Sequence, residues 1–135
     1  MRILGIDPGR QKTGLALVDE RGAILWRAIV PTAELRLHLE ELMEKWTLTR
    51  VALGHSTGSQ STAAIVRQIL EEKNLELTLE IIDERDSTLQ ARAIYFETYP
   101  RGGWRRWVPQ SLQNPPVAID DFAAVVLARR ALGQP

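Results

Sequence analysis

Apolar and polar positions change period several times along this chain, and each change marks an element. Arg2 to Asp7 carries Ile3, Leu4 and Ile6 and stops at Asp7-Pro8-Gly9, which predicts a short strand closed by turn residues. A second strand is expected over Thr13 to Asp19. Glu20-Arg21-Gly22 then turns the chain into a third, from Ala23 to Val30. Connections this short make a three-stranded antiparallel meander. From Pro31-Thr32 the period becomes helical, with Leu35, Leu39, Leu42, Met43 and Trp46 on one face. Arg50 to Leu53 reads as a fourth strand ending at Gly54.

Residues 59–73 read as a second helix, with Ile65, Val66, Ile69 and Leu70 inward and Glu71, Glu72 and Lys73 outward. Leu77 to Ile82 is a fifth strand. Ser87-Thr88-Leu89-Gln90 has the spacing of a capping box, so a third helix is predicted from there to about Tyr99. Residues 100–117 are rich in Gly, Pro and Arg and read as a loop. A last helix, about Ile119 to Leu132, ends against Gly133. The order β-β-β-α-β-α-β-α, followed by that helix, predicts an α/β fold: a mixed five-stranded sheet with helices on both faces. No repeat or linker divides the chain, so residues 1–135 are read as one domain.

Composition narrows the classes. With 44% apolar and 25% charged residues, this is a globule rather than a disordered segment. The absence of cysteine excludes disulfides and thiolate metal sites. No apolar run has the length of a signal peptide or membrane span, so a soluble, cytoplasmic protein without a membrane partner is expected. The 17 basic and 17 acidic residues cancel, so binding to nucleic acid would need a local patch rather than a global excess. Residues 100–117 offer one, with Arg101, Arg105 and Arg106 interleaved with Trp104 and Trp107 and no acid among them, and read equally as a loop whose tryptophans fold onto the core.

Three acidic positions stand at strand or helix ends, where sites gather at a sheet edge. Asp7 closes the first strand, Glu84 follows the fifth, and Asp120-Asp121 opens the last helix. Each has an ordinary alternative: a turn residue, a surface pair with Arg85, a helix N-cap. Converging carboxylates would repel by roughly 4 kcal/mol per pair at 4 Å and an effective dielectric near 20. A hard divalent cation removes that penalty.

At these residues the sequence resembles a known group. Gly5-Ile6-Asp7-Pro8-Gly9 with Thr13-Gly14-Leu15-Ala16 resembles the opening motif of YqgF/RuvX proteins and of RuvC-type Holliday-junction resolvases. Asp83-Glu84-Arg85-Asp86-Ser87-Thr88 is similar to the Asp-Glu-Arg motif of the YqgF family, and Asp120-Asp121-Phe122-Ala123-Ala124 to its closing helix. The resemblance implies an RNase H-like fold and divalent-metal-dependent phosphodiester cleavage in the maturation of ribosomal RNA precursors. It implies Asp7, Glu84 and Asp120 as the catalytic acids holding Mg²⁺ or Mn²⁺, with Asp121 a further ligand. The partner is then nucleic acid, RNA ahead of DNA, bound by a monomer or homodimer. Arg10, Lys12, Arg85, Arg105 and Arg106 are the expected nucleic-acid contacts.

Two departures stand out. Gly54-His55-Ser56-Thr57-Gly58 lacks the proline usual after strand four of the family. RuvC-type resolvases place their second acid at the end of that strand, where this chain has Gly54-His55, which favours the YqgF branch. His55 reads equally as a proton shuttle and as a loop residue bonded to its neighbours. Three other functions compete. The opening hairpin also resembles the phosphate-binding hairpin of sugar kinases and actin-like ATPases, which need two such domains. A non-catalytic nucleic-acid-binding domain would keep the fold, and a junction resolvase would share the chemistry but act as a dimer.

Overall fold

The computed structural model describes residues 2–56, 58–100 and 118–134. Five strands form one sheet: β1 (Arg2–Asp7), β2 (Lys12–Asp19), β3 (Ile24–Pro31), β4 (Arg50–Gly54) and β5 (Thr78–Ile82), in the spatial order β3-β2-β1-β4-β5. The first three pair antiparallel, whereas β4 and β5 run parallel to β1. Helices α1 (Leu35–Lys45), α2 (Ser59–Glu72), α3 (Ser87–Thr98) and α4 (Asp120–Ala131) complete the order. The mixed sheet expected from the sequence is the one observed.

Side-chain alternation along the strands builds two cores. Leu4, Ile6, Leu15, Leu17, Val51 and Leu53 pack with the apolar stripes of α1 and α2. Ile3, Ala16, Val18 and Ala52 pack instead with α3 and α4. This second face is built of small residues, and α4 lies almost directly on the sheet. A Cβ on Gly5 would fall 2.0 Å from the carbonyl oxygen of Ala124, and one on Gly14 would fall 1.9 Å from that of Asp120. From Asp121 to Ala128 every residue of α4 is buried. That is why this helix shows an unbroken apolar run instead of an amphipathic stripe.

Two local expectations need correction. The helix predicted from Pro31-Thr32 begins as a 3₁₀ turn over Thr32–Glu34 and becomes α-helical only at Leu35. The capping box at Ser87–Gln90 does not form. Asp86 precedes α3 in the left-handed region at φ 59°, and no side chain caps the helix. With the left-handed turn placed at Asp86, Ser87 falls inside the helix rather than before it. Trp46 lies just past α1 but still packs, half-buried, against the first core.

Candidate active site

Asp7 and Glu84 meet, with Asp120 nearby, because of where the elements end. β1, β4 and β5 are parallel, so Asp7, Gly54 and Ile82 lie at the same edge of the sheet, at their C-terminal ends. Such an edge, with connections leaving to both sides, is where α/β proteins place their ligands. Asp7 lies opposite Gly14 in the β1–β2 ladder, on the α4 face of the sheet. Directly over Gly14 sits the backbone of Asp120, in the first turn of α4. That contact puts Asp120 beside Asp7, and the N-terminal end of α4 is favourable for its negative charge.

Glu84 arrives from the other side. Its carboxylate lies over Gly54, where a Cβ would be 2.0 Å from Oε1. Glu84 thus occupies the space that a side chain at the end of β4 would fill. The missing acid noted at Gly54-His55 is replaced by one from the loop after the neighbouring strand. The sequence carries the motif but not this substitution in space.

Electrostatics mark the same point. Burial, then the charges of Glu84 and Asp120, then a hydrogen bond shared with Glu84, push the Asp7 carboxyl up to about 7. Oε1 of Glu84 is buried and, among the described residues, has no hydrogen-bond partner. A buried carboxylate oxygen facing a second carboxylate is unfavourable unless a cation or proton meets it. Lys12, largely exposed, stands 3.6 Å from Oδ2 of Asp120 and offsets part of the charge. Among the described residues no three acidic or imidazole groups are drawn together into a finished metal cage. Asp7 and Glu84 pair, and Asp120 stands off toward Lys12. The donor set of hard oxygens and the partnerless oxygen both suit a divalent cation.

Asp121, the further ligand expected from the sequence, is engaged elsewhere. It is buried, its Oδ2 lies 2.7 Å from Nη1 of Arg27, and its Oδ1 accepts the N–H of Phe122 at 3.0 Å. Arg27 also donates to the Tyr99 hydroxyl at 2.8 Å and lies over the Phe122 ring. Asp121→Asn should therefore cost about 1–2 kcal/mol of stability, since Arg27 remains partly solvated. Its Mn²⁺ affinity, measured by titration calorimetry, should stay within about twofold, whereas a tenfold loss (about 1.4 kcal/mol) would place Asp121 among the ligands.

Arg10 is exposed in the β1–β2 turn and borders a concavity with Pro8, Gly9, Ser56 and Gly58. His55 is exposed and anchored through its backbone N–H to the Ile82 carbonyl at 3.0 Å. Arg85 is exposed too, and its carbonyl and that of Asp83 each accept a hydrogen bond from Arg130, at 2.5 Å. Arg105 and Arg106 lie outside the described residues. Sequence reasoning missed Arg130, Arg27 and the spatial role of Gly54. An arginine near the end of a helix reads as an ordinary C-terminal charge, and nothing local betrays a contact forty-five residues away.

An α/β domain with this sheet order and an acid centre at its parallel edge belongs to the RNase H-like class. The family model of the Tex protein YqgF-like domain matches residues 1–97, and the chain belongs to that family. The matched stretch carries Asp7 and Glu84 and stops short of Asp120. Among solved structures, Thermus thermophilus RuvC in complex with Holliday junction substrate is similar at a TM-score of 0.61 and 16% identity, over 95% of this chain and 90% of that one. Fowlpox virus resolvase with substrate Holliday junction DNA is similar at 0.60 and 13%, over 98% and 97%. At these identities the likeness is one of fold. No curated protein matches in sequence.

Proposed function

We propose that this chain is a divalent-metal-dependent nuclease that hydrolyses phosphodiester bonds, with Asp7, Glu84 and Asp120 holding Mg²⁺ or Mn²⁺. The observation that carries the reading is the buried, partnerless Glu84 oxygen beside the protonatable Asp7. Two carboxylates packed together at the end of parallel strands serve no packing purpose and cost stability without a cation. A bound ion of this kind lowers the pKa of a water and steadies charge on the leaving oxygen.

The chain's own residues supply position and charge. Asp7 is paired with Gly14 of β2, and Ile6 before it with Leu53 of β4, which fixes the backbone that carries its carboxylate. Glu84 and Asp120 approach over Gly54 and Gly14. Arg10 and Lys12, in the turn beside Asp7, are placed to meet the phosphates of a bound strand, as Arg85 is from the opposite loop. The resemblance of the motifs at Asp7, Glu84 and Asp120 to YqgF/RuvX proteins is what favours RNA, in the maturation of ribosomal precursors in the cytoplasm, as substrate. All three acids come from one copy, so a monomer suffices. The fold shared with two resolvases seen on junction DNA supports a four-way junction as the second reading.

The test incubates the protein with Mn²⁺ or Mg²⁺ and labelled single-stranded RNA, single-stranded DNA, duplex or four-way junction, alongside Asp7→Asn. Metal-dependent cleavage of RNA is expected, falling roughly a thousandfold in the variant, as removal of several kcal/mol of metal-derived stabilisation requires. Cleavage confined to the junction would move the assignment to resolution. A folded protein that binds nucleic acid but cuts none of the four would be a binding domain.

A further inference from the structure

Glu84 presents a mechanical problem. Among the described residues its Oε1 has no hydrogen-bond partner, and the hydrogen bond that its carboxylate shares with Asp7 joins it to another acid. A hydrogen bond to a second acid does not fix where the backbone of Glu84 runs, so the position of its loop has to be set by other contacts. Among the described residues three hydrogen bonds tie the Asp83–Asp86 loop locally: Arg85 N–H to Oδ1 of Asp83 and Ser87 N–H to the Glu84 carbonyl, both at 2.9 Å, and Gln90 N–H to the Asp86 carbonyl at 3.2 Å. None of the three reaches beyond the loop and the first turn of α3.

Arg130 does. Its Nη1 donates to the Asp83 carbonyl and its Nη2 to the Arg85 carbonyl, each at 2.5 Å, and Nη2 also reaches Oε1 of Gln90 at 3.0 Å. The guanidinium thus grips the residues on either side of Glu84 and the first turn of the helix that follows. Two carbonyls held by one planar fork fix both the position and the direction of the peptide between them, which a single flexible donor cannot do. The same helix, α4, carries Asp120 at its other end. Asp120 and the Glu84 loop are therefore referenced to one rigid body.

We propose that Arg130 is a positioning residue for the acid centre: by clamping the carbonyls of Asp83 and Arg85 it holds Glu84 against Asp7. The proposal rests on the reading of these acids as a metal site, and the experiment separates the two. Arg130→Ala, Arg130→Lys and Arg129→Ala are compared with the unaltered chain. Arg129 is the control, since it makes a similar bond from the same helix, Nε to the Gly22 carbonyl at 2.8 Å, on strands away from Glu84. Three readouts are taken: Mn²⁺ affinity by the loss of free-ion electron paramagnetic resonance signal, cleavage kinetics, and hydrogen exchange over residues 83–88.

Arg130→Ala should lower Mn²⁺ affinity and kcat at least about tenfold, in the range that loss of a ligand-orienting contact produces, with KM for nucleic acid unchanged. Exchange over 83–88 should quicken. Arg130→Lys, which keeps the charge but not the fork, should fall between and serves alone if the alanine variant does not fold. Arg129→Ala should lower thermal stability and leave the metal readout intact. An Arg130 variant with native exchange over 83–88 and native Mn²⁺ affinity would overturn the proposal. If the unaltered chain binds no Mn²⁺, the metal reading fails, and exchange at 83–88 decides the clamp by itself.

Discussion

In metal-free buffer, Asp7→Asn is expected to make the protein more stable above neutral pH while leaving stability near pH 3 unchanged. The sign follows from which state holds the proton. The folded protein keeps the Asp7 proton until about 7, whereas the unfolded chain releases it near the ordinary value of 3.8. Between those values the native state binds more protons, so stability falls as pH rises, and above neutrality the full penalty remains. A displacement of about three pH units corresponds to something on the order of 4 kcal/mol. For a domain whose total stability is about 5–15 kcal/mol that is a large fraction. An asparagine amide carries no charge to desolvate and can donate to Glu84, so it relieves both causes. Urea unfolding in chelator from pH 3 to 8.5 reads the effect as a gap that opens with pH. A gap of constant size would show that Asp7 ionises freely in the fold. Added Mn²⁺ should close the gap by stabilising only the unaltered chain. A variant that gains stability and loses catalysis has lost a group kept for function at the expense of the fold.

Gly54→Ala and Gly14→Ala should fail in opposite ways, although both put a methyl group into the same layer. At Gly54 the new Cβ would meet the tip of the Glu84 side chain at 2.0 Å. A side-chain end can swing away, so the fold should lose only about 1 kcal/mol. The carboxylate would leave the centre, however, and metal-dependent cleavage should drop about a hundredfold or more. At Gly14 the methyl group would meet backbone, the carbonyl oxygen of Asp120 at 1.9 Å and its carbon at 2.2 Å. That helix turn cannot yield alone, because Asp121 beside it is pinned by Arg27 and α4 is buried from there to Ala128. A cost of about 3 kcal/mol or more is expected, with α4 displaced from the sheet. Thermal unfolding and single-turnover cleavage of the two variants separate the outcomes. Equal loss of stability in both would mean that Glu84 is held as firmly as the helix backbone.

These outcomes show how much of the site can be read from the chain. The strands were legible because their periods are clean: Ile3, Leu4 and Ile6 before Asp7-Pro8-Gly9, and the meander with its short turns, appear within a residue of the expected limits. The stripes of α1 and α2 were legible for the same reason, since each is buried on one side and solvated on the other. The start of α3 was not. Ser87-Thr88-Leu89-Gln90 satisfies the local rule for a cap, yet the helix begins at Ser87 itself, after a left-handed turn at Asp86. The acids themselves announced their positions, because each stands where a regular element breaks off.

By itself, then, the sequence determined the elements, their order and the residue types capable of the chemistry. Those depend on local period and on turn residues, which act over a few positions. Tertiary structure alone decided which acids meet and what holds them. Asp120 and Asp121 are neighbours in the chain with the same side chain, and one points to Lys12 and the centre while the other is buried against Arg27. Glu84 reaches Asp7 only because Gly54 leaves room, and Arg130 grips its loop from a helix that follows much later in the chain. Such pairings arise from the stacking of helix on sheet, where contact depends on the absence of a side chain as much as on the presence of one, and no local pattern carries that information.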